Sequence, residues 1–261
     1  MRRRLAGVSG ADHDVADALR KAAEIGPFFA LTLDPPGPGW TAFADFAADD
    51  DTVAEAVAEA RIRLAVGAGV DESAVEWRAA ASVWHLGVVA RVVSPALGAA
   101  ALAGWCPRLG GLRWHRDHQR HGDSTSSLLA VRTDELDGTA VVEAAAAADA
   151  IAAGVIDPVL GPLTRTVAEV GSVSDHVLWG NVWSASAGAA TMIARARPES
   201  GPEALAIVRA LVEAGGRPMP GRYLSDRYRR DTCCLYYRLP RGGLCGDCVL
   251  RRMPSARPAR P

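Results

Sequence analysis

A chain of 261 residues, 49% hydrophobic and 23% charged, is long enough to bury a full core as one large domain or as a domain with a small appendage. Its formal net charge of -1 lacks the basic surplus with which a general nucleic-acid binder neutralises phosphates, so no nucleic-acid partner is expected. Arginine supplies nearly all the positive charge, Lys21 being the single lysine, and alanine is abundant; both read as coding bias, which makes any one arginine less informative.

The first seven residues are basic, but Gly10, Asp12, His13 and Asp14 follow where a signal peptide would need an apolar run. Residues 87–105 are the most membrane-like stretch. They hold Arg91, Pro95 and many weakly apolar Ala and Gly residues, short of the about 20 strongly apolar residues of a span. The expectation is a cytoplasmic protein without a transmembrane span, compatible with peripheral contact with a membrane. In the cytoplasm thiols stay reduced, and clustered cysteines bind metal more often than they pair.

In chain order, residues 11–25 predict a helix carrying Val15, Leu19 and Ala22, and 28–33 a short strand ended by the rigid turn around Pro35 and Gly39. Residues 51–67 predict an amphipathic helix. Residues 75–93 predict another, and Ser94-Pro95 reads as an N-cap and first-turn proline opening a separate helix through 103. Two short strands, 112–115 and 128–131, flank a polar loop rich in histidine. Helices follow at 140–153, at 157–170 entered by Asp157-Pro158, at 174–197 and at 203–214, before a turn at Gly215-Gly216. The result is an α+β, predominantly helical fold. It comprises a mainly helical body over 1–220 with a small antiparallel sheet, a short cysteine-bearing appendage over 221–252, and a proline-rich, disordered tail over 253–261.

Four of the five cysteines, Cys233, Cys234, Cys245 and Cys248, fall within 16 residues. Four soft thiolates satisfy either one zinc ion or the two irons of a cluster. Gly242, Gly243 and Gly246 supply the tight backbone that a Cys-x-x-Cys turn requires. Structural zinc sites usually present two separated Cys-x2-4-Cys knuckles, whereas adjacent cysteines diverge on a helix or a strand and suit a wider group. Ligand chemistry alone therefore orders the readings as iron–sulfur, zinc, then disulfides, and leaves all three open.

The residues around these cysteines, Asp231-Thr232-Cys233-Cys234-Leu235-Tyr236-Tyr237-Arg238 and Gly242-Gly243-Leu244-Cys245-Gly246-Asp247-Cys248, resemble the C-terminal signature of the FhuF-like ferric-siderophore reductase family, marked by Cys-Cys-x10-Cys-x2-Cys. Leu178-Trp179-Gly180-Asn181-Val182-Trp183-Ser184 is similar to that family's Trp-Gly-Asn-x-x-Ser helix, and Ser94-Pro95-Ala96-Leu97-Gly98 to its Ser-Pro helix start. The resemblance runs over roughly residues 80–250. It departs at Val249, where many members carry proline, a position that supplies no ligand. The resemblance implies a [2Fe-2S] cluster on the four cysteines and a cytoplasmic reductase of siderophore-bound iron(III). The partners would be a ferric siderophore and an external electron donor, ferredoxin-like or a flavoprotein reductase. The chain shows neither a Gly-x-Gly-x-x-Gly motif after a strand nor a phosphate loop, so no nicotinamide or flavin of its own is expected. The rival readings are an iron–sulfur redox or iron sensor, a siderophore-binding protein without turnover, and a zinc-stapled interaction module.

Other residues carry weaker expectations. Trp179, Asn181, Trp183 and Ser184 are candidates for the neighbourhood of the cluster or substrate, with Asn181 and Ser184 bonding the cysteine loop. Arg230 and Arg238, with Arg227, Arg229 and Arg241, either meet an anionic partner or offset the charge of the cluster. Tyr236 and Tyr237 are expected to pack around it. His115, His118 and His121 read as a surface loop, His176 as a capping or core histidine, and Cys106 as a small buried hydrophobe.

Overall fold

The computed structural model describes residues 10–35, 37–115, 128–214, 221–250 and 252–253. Its organising element is a 27-residue helix, α4 (Trp77–Ala103), in which every residue from 92 to 100 is buried. A helix apolar on all sides, rather than along one stripe, belongs in the centre of a bundle. It packs against α1 (Gly10–Ala23), α3 (Asp50–Ala68), α6 (Gly161–Gly171), α7 (Asp175–Ala196) and α8 (Gly201–Glu213). It ends at Gly104, whose left-handed backbone (φ 69°) returns its N–H to the Ala100 carbonyl at 2.9 Å. The expected break at Ser94-Pro95 is absent. Pro95 lies inside the helix and Ser94 is buried, because packing on every side outweighs the one hydrogen bond that the ring removes.

A second proline is absorbed differently. The expected helices at 140–153 and 157–170 are one continuous rod: α5 (Ala144–Ile151), a π-helical stretch (Ala152–Leu160) containing Pro158, and then α6. In an α-helix the Gly154 carbonyl would receive the amide four residues on, where Pro158 has none. Instead it accepts the Leu109 N–H at 3.0 Å from a neighbouring loop, so the widened turn costs no buried acceptor. Both α4 and the rod Ala144–Gly171 are long and apolar enough to cross a membrane by length and composition alone. Of the apolar window of α4, 61% is buried inside the protein, the position of a core helix.

The sheets are small. Strands β1 (Thr32–Leu33), β2 (Trp40–Ala42), β4 (Arg113–His115) and β5 (Leu129–Val131) form one sheet in the order β1-β5-β4-β2, antiparallel except for β1 with β5. The expected strand at 28–33 is reduced to β1, since Pro27–Phe29 is a 3-10 turn that buries Phe29. Strand β3 (Trp105–Arg108) pairs with β6 (Asp137–Ala140). Neither segment carries the apolar–polar alternation that marks a strand. Cys106 on β3 is buried against the Ala147 carbonyl, and that burial pushes its thiol up to about 12, as expected of an inert core residue. His115 closes β4 with its ring edge-on to Trp40; His118 and His121 lie outside the described residues, as do the turn at Gly215-Gly216 and most of the expected tail. The short helix α2 (Phe43–Ala48) stacks Phe46 on Trp114, tying the main sheet to the bundle.

Candidate metal centre

The chain leaves the bundle through a tight antiparallel hairpin, β7 (Gly221–Leu224) and β8 (Arg227–Arg230), which the cluster of basic and aromatic residues had not suggested. The register of Arg222 with Arg229 and Tyr223 with Tyr228 puts arginines on one face and packs the tyrosine rings edge-on, 5.5 Å apart, on the other. From β8 the chain enters the cysteine segment. Leu239 docks into a small apolar cluster of Ala65 on α3, Ala79 and Ala80 on α4, and Val75 in the connection between them, with Leu235 packed beside it.

Two tight loops shape the segment. Leu235 takes a left-handed backbone (φ 65°), which turns its N–H onto the Cys233 sulfur at 3.4 Å; a thiolate there gains a donor. Cys245-Gly246-Asp247-Cys248 closes a turn with the Cys248 N–H on the Cys245 carbonyl at 3.2 Å, and the Arg230 N–H donates to the Asp247 carbonyl at 3.0 Å. Of the nearby glycines only Gly242 is sterically required. A Cβ there would lie 2.1 Å from the Tyr236 oxygen and 2.8 Å from that of Leu239, whereas Gly243 and Gly246 have open space. Gly242→Ala is therefore expected to cost about 1–3 kcal/mol and to lower the iron bound per chain, while Gly243→Ala stays within about 0.5 kcal/mol of wild type. Melting temperature and iron content of the two purified variants check this.

The adjacent cysteines diverge. Cys234 is buried, Cys233, Cys245 and Cys248 are half-buried, and the Cys234 and Cys245 sulfurs lie 3.6 Å apart. Two thiolates on one tetrahedral metal with bonds of about 2.3 Å sit about 3.8 Å apart, so this pair fits a shared iron. Hydrogen bonding with Cys233 and Cys245 draws the Cys234 thiol well below its ordinary value, with Arg230 adding to the effect, and pushes those two neighbours up. Among the described residues no three His, Cys, Asp or Glu side chains close around one point as a single-ion site would require.

Behind the buried cysteine lies a polar network that four elements build inside an apolar core. The Ser82 hydroxyl on α4 donates to the Cys234 carbonyl at 2.9 Å. The Asn181 Nδ2 on α7 donates to the Ser82 carbonyl at 2.9 Å, and its Oδ1 accepts from the Arg230 guanidinium at 2.7 Å. His85, one turn along α4 from Ser82, lies with Nε2 3.2 Å from the Thr164 hydroxyl and Nδ1 3.4 Å from Asn181 Nδ2. Thr164 spends its proton on the Leu160 carbonyl at 2.6 Å, so it accepts from His85 Nε2–H, which leaves Nδ1 bare to accept from Asn181. The ring is thereby neutral. Complete burial, reinforced by the charge of Arg230, takes its pKa down to about 3.

Of the expected site residues, Asn181 and Arg230 are brought to the cysteine segment and both are fully buried. Ser184 is half-buried and among the described residues makes no hydrogen bond to that segment. Trp179 and Trp183 are buried, with ring centres 6.4 Å apart, and Trp179 lines a surface cleft with Asp157, Pro162, Thr164, Arg165 and Asp175. Arg238 is exposed and paired with Glu76 at 2.9 Å. Tyr236 is exposed rather than packed, and His176 is exposed in the first turn of α7 rather than a core residue. Ser82, His85 and Thr164 had not been singled out, although Ser-x-x-His within the otherwise apolar run of α4 was the available signal.

Residues 230–250 match the family model of the FhuF 2Fe-2S C-terminal domain. The cysteine segment is a FhuF-type [2Fe-2S] domain. The match takes in all four cysteines and begins at Arg230, the residue that the polar network holds. Among curated proteins no match to the chain is found.

Proposed function

We propose that this FhuF-type iron–sulfur protein is a cytoplasmic ferric-siderophore reductase. The observation that carries the reading is the asymmetry of the ligand set within a FhuF-type domain: Cys234 is sealed into the bundle while Cys233, Cys245 and Cys248 reach the surface. A [2Fe-2S] group on four thiolates supplies single electrons at low potential, about −400 mV in plant-type ferredoxins. Siderophore iron(III) is held tightly by hard oxygen donors and iron(II) weakly, so one added electron releases the metal without breaking the ligand.

The chain's own residues do the rest. Cys233, Cys234, Cys245 and Cys248 hold the group, and Ser82 fixes the backbone of the buried ligand. Tyr236 and Leu244 are exposed, as are Arg227, Arg241 and Arg238, the last paired with Glu76. A rim of arginines with apolar tips suits an anionic ferric siderophore, and equally an acidic electron donor of the ferredoxin or flavoprotein type.

The test is direct. Protein reduced with dithionite and freed of excess reductant is mixed anaerobically with ferric hydroxamate, catecholate and carboxylate siderophores and an iron(II) chelator. At least one class is expected to reoxidise the protein with one iron(II) trapped per cluster. Reoxidation by none of them would replace the reductase by a redox or iron sensor, and a colourless zinc-loaded protein would remove the cluster itself.

A further inference from the structure

We propose that Arg230 is the buried counter-charge of the cluster and sets its potential, with Asn181 as the residue that positions it. The inference rests on the [2Fe-2S] domain and is independent of which substrate takes the electron. Arg230 is the largest fully buried side chain among the described residues. Its guanidinium donates from Nη2 to Asn181 Oδ1 at 2.7 Å and to the Val177 carbonyl at 3.3 Å, and from Nε to the Thr232 carbonyl at 3.2 Å. All these acceptors are neutral, and Nη1 has no partner among the described residues.

Neighbouring arginines are treated differently. Arg222 pairs with Asp231 and Arg238 with Glu76, both in solvent, whereas among the described residues no carboxylate ion-pairs with Arg230. Asp247 accepts from the Arg230 backbone N–H through its own backbone carbonyl, and its buried Oδ2 has no hydrogen-bond partner among the described residues. A cation buried among neutral dipoles needs a compensating anion. The thiolate set lies beside it: Arg230 Nε donates to the carbonyl of Thr232, next to Cys233, and its backbone N–H to the carbonyl of Asp247, next to Cys248.

A four-thiolate [2Fe-2S] group is anionic in both oxidation states and gains one further negative charge on reduction. A fixed positive charge in a dry interior stabilises the reduced form more than the oxidised one, and salt does not screen it as it screens a surface arginine. The electron count is unaltered: the external donor supplies one electron and the cluster passes on one. Asn181 sets the aim of the fork. Its Nδ2 is committed to Ser82 and His85, which leaves only Oδ1 facing Arg230.

The experiment is a redox titration of the loaded protein, followed by visible absorption and by the electron paramagnetic resonance of the reduced cluster, for Arg230→Gln, Arg230→Met, Arg230→Lys and Arg238→Gln. At the wild-type midpoint the ratio of reduced to oxidised cluster is expected to fall at least tenfold in the Gln and Met variants, a shift of about 59 mV for one electron. The Lys variant and Arg238→Gln are expected to stay within threefold. A neutral Arg230 variant that holds its cluster at the wild-type midpoint overturns the proposal, as does an equal shift in Arg238→Gln. If neither neutral variant retains iron, Asn181→Asp keeps the guanidinium in place and cancels its charge. A tenfold fall in that protein supports the assignment, and an unchanged midpoint overturns it.

Discussion

Cys234→Ala is expected to abolish the cluster: the purified variant should carry neither the iron nor the acid-labile sulfide of wild type and should lose its visible absorption. The other three ligands lie nearer the surface, where a substitute donor or water can reach. Cys234 is buried, lies 3.6 Å from the Cys245 sulfur, and has its carbonyl fixed by Ser82. The one cysteine outside the ligand set, Cys106, lies on β3. The loss also strands the Arg230 guanidinium without an anion, and uncovering one member of a buried charge pair costs about 3–5 kcal/mol. The variant should therefore unfold at a clearly lower denaturant midpoint than wild type, not merely lose its colour. Cys106→Ser is the matched control, because Cys106 lies on β3 against the Ala147 carbonyl. It should keep full iron and sulfide. Iron retained in Cys234→Ala, or lost in Cys106→Ser, would reassign the ligands.

Acid should find His85. The unfolded chain protonates this ring near its ordinary 6.5, whereas in the folded protein burial and Arg230 hold it neutral down to about 3. Between those values the unfolded state binds a proton that the folded state refuses, so stability is at its full value above 6.5 and is lost as the pH falls. The slope for one such group is about 1.4 kcal/mol per pH unit. His85→Gln keeps a polar side chain facing Thr164 and removes the titration. Denaturant unfolding at pH 7, 6 and 5 should show wild type losing about 2 kcal/mol more than the variant between pH 7 and pH 5. Parallel curves would mean that His85 is solvated or already charged in the folded protein. The comparison between variants is the informative quantity, since acid also attacks iron–sulfur ligation in both.

The ligand set was legible in the sequence because metal chemistry restricts residue type and spacing: four thiolates in 16 residues admit few uses. The helix bearing Trp179 and Asn181 was legible for the same reason as the other long helices, a sustained apolar pattern bounded by polar residues. What escaped is what depends on contacts distant in the chain. Pro95 reads locally as a helix start, and only burial on all sides lets α4 run through it. Pro158 reads as another start, and only the Leu109 amide makes the continuous rod tolerable. Arg230 looks like one of five arginines around the motif. Its separation from 227 and 229 comes from the hairpin register, which turns Arg230 inward to Asn181, 49 residues earlier. His85 was hidden by its surroundings, since a lone histidine in an apolar helix announces no partner until α6 and α7 are packed against it.

The Ser82–Asn181–Arg230 network also fixes an order of events. During synthesis the helices that carry Ser82, His85, Thr164 and Asn181 emerge before Arg230 and before any ligand cysteine. The elements that receive the segment are therefore made while the iron ligands are still unmade. In a zinc finger the metal organises a chain that is otherwise unfolded; here a finished scaffold waits for its ligands, and iron loading becomes the closing step of maturation rather than its nucleus.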